Sequence, residues 1–128
     1  MKKIMLAAAA ACGAYLFMVK GRSGHPGLKQ LQKFSYAHRG LHGNGIPENS
    51  MAAFRAALEK GYGIELDIHL TQDNELVVIH DHTLDRCTDA AEVLGSTEIA
   101  VRDVTLEELQ KLNMGENFTD SEGNRPYA

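Results

Sequence analysis

The sequence predicts an α/β fold, and three observations carry that expectation. Short aliphatic and aromatic runs read as strands, two of them ending in histidine. A capped amphipathic helix separates the first two runs, and a second amphipathic helix follows near the carboxyl end. With 128 residues and 44% hydrophobic content, the chain has room for one modest domain or for part of a larger one. A formal charge of -4 and the lack of a basic stripe interleaved with aromatics exclude nucleic acid as the expected partner. Cys12 and Cys87 form no Cys-x-x-Cys pair, so neither a disulfide frame nor a thiolate metal site is expected.

The first segment, residues 1–22, places Lys2 and Lys3 before an uncharged run from Ile4 to Val19, with Lys20 and Arg22 after it. This predicts a hydrophobic helix acting as a single-pass membrane anchor. Sixteen uncharged residues cover ~24 Å against a hydrocarbon core of ~30 Å, a gap that snorkelling lysines can close. A cleaved signal is the rival reading, but Tyr15 to Val19 leaves no small-x-small site before Lys20. Positive charge is balanced across the segment and leaves the side of the membrane open. Residues 23–33 read as a linker, and 34–128 as the domain.

Within the domain, "FSYAH" predicts a strand ending near His38, followed by the loop "RGLHGNGIPENS". Asn49 or Ser50 can cap a helix whose apolar positions are Met51, Phe54 and Leu58, and Gly61 can end it. A second strand, Ile64 to Leu70, alternates Ile64, Leu66, Ile68 and Leu70 with Glu65, Asp67 and His69 on the other face. "TQDNE" turns the chain into the aliphatic run Leu76 to Ile79, which ends in His80; a hairpin and an extended parallel return both fit this spacing. Thr105 and Glu108 form a capping box for "LEELQKLN", whose apolar positions are Leu106, Leu109 and Leu112.

Several of these residues can do chemistry. Glu65 and Asp67, two apart on one strand face, offer hard oxygen donors suited to Mg²⁺ or Ca²⁺, although a solvated outer face reads the same way. His38 and His80 stand at strand ends, where α/β folds build their sites. Two imidazoles fit an acid–base pair, while either alone fits a histidine bonding a carbonyl. Arg39 can clamp a phosphate with its planar fork or make a surface ion pair. His80 and His82 share a face by alternation, so a His-x-His zinc site is a further reading. Gly40, Gly43 and Gly45 match no phosphate-binding fingerprint and read as loop residues.

The motifs "AHRG", "PENSMAAFRAALEKG", "IELDIHLTQDNELVVIHDHTLDR" and "VTLEELQKLNMG" occur in order between about Phe34 and Met114. In this the chain resembles the amino-terminal half of the glycerophosphodiester phosphodiesterase family. The resemblance implies a TIM-barrel-like (β/α)8 fold of which only the first part is present, and hydrolysis of glycerophosphodiesters to glycerol 3-phosphate and an alcohol. It makes His38 and His80 the acid–base pair, Arg39 a phosphate ligand, and Glu65 and Asp67 ligands of a divalent cation, Ca²⁺ or Mg²⁺. Glu48 and Asn49 fall in its "PEN" stretch and are expected to support the loop and helix start; His82 falls outside its catalytic pattern. A TIM barrel needs about 250 residues, and the family's third acidic ligand comes from a later strand, so the chain reads as truncated and close to inactive alone. A non-catalytic binding fragment is the alternative from another class.

Overall fold

The structure is a computed structural model that describes residues 2–19 and 24–128. It divides into two compact units, one reaching Lys33 and the other spanning Phe34–Ala128. In the first unit, α1 (Lys2–Val19) is an 18-residue helix and α2 (Pro26–Leu31) a short one within the expected linker. His25 caps α2 by accepting the amide of Gly27 at 3.1 Å, with Pro26 at the first helical position. The membrane-anchor expectation finds no support: among the described residues no helix is long and apolar enough to cross a membrane. The physical reason is that α1 includes Lys2 and Lys3, leaving ~24 Å of uncharged helix against ~30 Å of hydrocarbon. Lys20 and Arg22, expected to flank it, lie outside the described residues.

The second unit begins with a strand–helix–strand element. β1 (Tyr36–Ala37) and β2 (Gly63–Ile64) run parallel, with Tyr36 opposite Gly63 and Ala37 opposite Ile64, and α3 (Met51–Glu59) forms the crossover. Ser50 starts α3 by accepting the Ala53 amide at 3.2 Å. Gly61, at φ +70°, ends it: its amide and that of Tyr62 return to the carbonyls of Leu58 and Ala57 at 2.9 and 3.0 Å. Of the expected Met51, Phe54 and Leu58 stripe, only Phe54 is partly buried. Ala53 and Ala57 are fully buried, while Met51 and Leu58 are 64% and 65% exposed. Small residues are needed because backbone comes close here: a Cβ on Gly40, itself at φ +78°, would meet the Ala53 methyl at 2.7 Å.

The single strand expected over Ile64 to Leu70 is broken, because the chain changes partner in its middle. The Glu65 amide still donates to Ala37 of β1 at 3.1 Å, whereas the Asp67 carbonyl accepts from Ile79 at 3.1 Å. Beyond that point β3 (Ile68–Leu70) pairs antiparallel with β4 (Leu76–Val78), which selects the hairpin of the two connections the sequence allowed. The buried Thr71 organises the turn: its hydroxyl donates to Asp73 at 2.5 Å and accepts the Glu75 amide at 2.9 Å, with Asn74 at φ +63°. Asp73 also accepts the Leu106 amide at 3.1 Å, joining the turn to α5 (Leu106–Leu109).

The main core lies along the later part of the chain, where Ile79, Leu84, Cys87, Val101, Val104 and Leu112 are buried together with Ala90 of α4 (Ala90–Val93). The Thr105–Glu108 capping box forms as expected, although α5 stops at Leu109. Among the described residues the strands make two two-stranded sheets and no closed barrel. Leu66, Ile68 and Leu70 of the alternating aliphatic positions, and Leu76 at the start of the aliphatic run, are exposed.

Leu84→Ala should lower unfolding free energy by about 2–5 kcal/mol in urea titrations, because it removes a fully buried side chain and leaves a cavity. Leu58→Ala should stay within about 0.5 kcal/mol despite the apolar periodicity of α3. A large loss at Leu58 would contradict the helix face described here.

Candidate active site

The site is assembled where two parallel strands end. His38 follows Ala37 of β1 and Glu65 follows Ile64 of β2, and those two residues stand opposite each other, so His38 and Glu65 leave the same edge side by side. This is the carboxyl edge, where parallel α/β architecture places its functional groups. The His38 side chain is exposed there.

Arg39 is the most constrained residue of the loop. Its φ of +58° is left-handed, an uncommon conformation for a residue with a Cβ. Partners on every side compensate: its amide donates to Glu65 Oε2 at 3.0 Å, its carbonyl accepts the Asn49 amide at 2.9 Å, and Nη1 donates to Glu48 Oε1 at 3.0 Å. Its Nε is buried 3.5 Å from Asp67 Oδ2, within ion-pair range but without a hydrogen bond. Asn49, at φ +53°, clips Asp67 twice: Nδ2 donates to Oδ2 at 3.0 Å and Oδ1 accepts the Asp67 amide at 3.3 Å. Glu65 and Asp67 thus both lie against Arg39.

His80 follows the hairpin. Its Nδ1 is 2.6 Å from Asp81 Oδ1, and its carbonyl accepts a hydrogen bond from His69 Nε2 at 3.1 Å. Arg86 grips Asp81 through Nε at 2.6 Å and Nη2 at 2.9 Å, and turns its other edge to Glu48 with bonds of 2.9 and 2.6 Å. A continuous series of ion pairs and hydrogen bonds therefore runs Asp67–Arg39–Glu48–Arg86–Asp81–His80. Four of the five expected site residues, Arg39, Glu65, Asp67 and His80, are held by this series or by its direct partners, and His38 adjoins it in sequence.

The electrostatics follow from the contacts. The Arg86 guanidinium, and then the His80 ring, hold the Asp81 carboxyl well below the usual carboxylate range, against the opposing effect of burial. Arg86 does the same for Glu48, with Arg39 adding to it. Arg86 in turn is raised above its ordinary value by Glu48 and Asp81. Burial pushes the Cys87 thiol up to about 11, so this free cysteine is a core residue and not a nucleophile.

The His-x-His zinc reading gains no support from these contacts. His80 turns Nδ1 to Asp81, while the His82 ring packs edge-on against His69 with centroids 5.2 Å apart. Among the described residues no group of three His, Cys, Asp or Glu side chains is placed to hold a metal ion. Glu65 and Asp67 carry oxygen donors of the kind a hard divalent cation takes. Sequence reasoning missed Arg86, Asp81 and His69. Asp81 and Arg86 stand in the same "HDHTLDR" stretch as His80, but nothing local reveals that Arg86 reaches Glu48, 38 positions away.

The profile of the Glycerophosphoryl diester phosphodiesterase family matches residues 38–127. A glycerophosphodiester phosphodiesterase of Caldanaerobacter subterraneus subsp. tengcongensis is 52% identical over 83 residues, which is 64% of this chain and 31% of that protein. The human glycerophosphodiester phosphodiesterase 1 is 43% identical over 92 residues, 70% of this chain and 25% of that protein. Among solved structures, a glycerophosphodiester phosphodiesterase from Agrobacterium tumefaciens superposes with a TM-score of 0.56 at 38% identity, covering 66% of this chain and 34% of that one. The chain spans about a third of the length of the first two curated relatives it matches.

The ion-pair series predicts an acid-sensitive fold. Glu48 and Asp81 have folded values below their ordinary 4.5 and 3.8, so as pH falls the unfolded chain takes up protons first. Their contribution is complete at neutral pH and is lost progressively below about 4.5. Unfolding midpoints measured from pH 7 to pH 3 should fall through this window. In Arg86→Gln the fall should be shallower, because the guanidinium that most strongly depresses both carboxyls is gone.

Proposed function

The chain belongs to the glycerophosphoryl diester phosphodiesterase family, and we propose that its residues serve metal-dependent hydrolysis of glycerophosphodiesters to glycerol 3-phosphate and an alcohol. The observation that supports this reading is the ion-pair series, which connects Arg39, Asp67 and His80, with Glu65 bonded to the Arg39 amide. In this reading the β1–α3–β2 element belongs to a TIM barrel, whose sites form at the carboxyl ends of its strands.

Arg39 binds the phosphoryl oxygens; its planar fork suits them, and its buried Nε still has a hydrogen bond to give. Glu65 and Asp67 would hold a Ca²⁺ or Mg²⁺ ion, which when bound neutralises phosphoryl charge and stabilises the developing oxyanion. His38 and His80 exchange the protons of the displacement. One takes a proton from the attacking water as its oxygen bonds to phosphorus, and the other protonates the alcohol oxygen as the phosphorus–oxygen bond breaks. Glu48 and Asn49 keep Arg39 and Asp67 in place.

A chimera in which residues 34–128 replace the matching segment of the Caldanaerobacter relative tests the roles. It should release glycerol 3-phosphate from glycerophosphocholine in a divalent-dependent way. His80→Ala should lower kcat by about 10²–10⁴-fold. Asp67→Asn should weaken the metal dependence and turnover together. Unchanged metal titration in Asp67→Asn would remove the ligand assignment, and undiminished turnover in His80→Ala would remove the proton-transfer assignment.

A further inference from the structure

The geometry points to Asp81 as a positioning residue that, clamped by Arg86, fixes the tautomer of His80. This inference rests on the reading of His80 as a proton-transfer group, and assigns the state in which that group waits. An imidazole has two nitrogens, and only the one without a proton can accept one. Which nitrogen is bare is set by the partner of the other.

At His80 the partner of Nδ1 is the Asp81 carboxylate at 2.6 Å, a short contact of the charge-assisted kind. An ionised carboxylate accepts and cannot donate, so the ring proton belongs on Nδ1 and Nε2 is left bare. Asp81 is kept ionised by what surrounds it. Arg86 gives it two hydrogen bonds, at 2.6 and 2.9 Å, and every donor on Arg86 is permanently charged. The carboxylate can neither swing away nor take up the proton near neutral pH, since the guanidinium occupies its other side.

Arg86 is held in turn. Its second edge is bonded to Glu48 at 2.9 and 2.6 Å, and the Glu48 side chain is only 8% exposed. The ring is anchored from the backbone side as well. A carbonyl only accepts, so His69 Nε2 carries the proton in its 3.1 Å bond to the His80 carbonyl and fixes the main chain from which the ring projects. The charged groups facing His80 and Asp81 are therefore Arg86 from the following segment and Glu48 from the loop before α3, with His69 of β3 on the backbone.

The test is the protonation pattern of His80 in long-range ¹H–¹⁵N spectra of the ¹⁵N-labelled 128-residue chain, at a pH where the ring is neutral. The wild type should show His80 as the Nδ1–H form. Asp81→Asn preserves shape but replaces an acceptor-only group with one that can donate to Nδ1, so the His80 proton should move to Nε2. Asp81→Glu should restore the Nδ1–H form. Arg86→Gln, which leaves the carboxylate but frees it, should give a mixture of the two forms. Backbone amide shifts of residues remote from the site should be unchanged in all three, separating a tautomer change from misfolding. A wild-type ring in the Nε2–H form, or an Nδ1–H pattern that survives Asp81→Asn, overturns the assignment. The spectra require no turnover, so this inference and the phosphodiesterase reading fail on different measurements.

Discussion

Everything at this site depends on one carboxylate being shared by two guanidinium groups. Glu48 is nearly buried, and a charge taken that far from water needs full compensation; Arg39 supplies it from one side and Arg86 from the other. The sharing joins parts of the domain that the apolar core does not. The β1–α3–β2 element contributes Ala37, Ala53 and Ala57 to the buried residues, and none of these belongs to the cluster built from Ile79 to Leu112. The Glu48–Arg86 pair spans the two. A side-chain series that joins Arg39 of the first part to His80 of the second needs such a tie, because hydrophobic contact alone has no direction.

The same arrangement explains the strained backbone. Arg39 and Asn49 both adopt left-handed conformations in the loop that carries the "PEN" stretch. The conformation is costly for Arg39 and ordinary for Asn49, and each is bonded to the other and to an acidic residue of the Glu65–Asp67 segment. Strain in the loop and the break in the following strand have one cause: Glu65 and Asp67 are recruited into the loop's hydrogen bonding, and the chain leaves one strand partner for another while this happens.

The local signals were legible in the sequence. Ser50, Gly61 and the Thr105–Glu108 box do what their types and spacing require, because caps act within a turn of the helix they serve. The loop after β1 was also legible, whereas the association of Arg39 with Glu65 and Asp67 was implied only by the family resemblance. What the sequence hid depends on distant neighbours. Uniform alternation from Ile64 to Leu70 suggests one strand, since periodicity cannot reveal which partner each half takes. The stripe of Met51, Phe54 and Leu58 outweighs two alanines on any hydrophobicity count, yet Met51 and Leu58 are exposed while Ala53 packs directly against Gly40. Arg86 could not be found from its surroundings because its meaning lies 38 residues upstream.

Cys87 lies next to Arg86 in sequence and is 3% exposed, with its thiol proton held by burial. Alkylating reagents attack thiolates they can reach, so in the closed domain this sulfur is protected both by access and by protonation. Cys12, in α1, is exposed and lacks the first of these protections. The two cysteines thus form a natural clock. The first sulfur consumes reagent as soon as it is added, and the second reacts only as often as the packing beside the arginine clamp opens. The slow phase of thiol labelling reads the breathing of the site directly, with no dye, substrate or engineered probe.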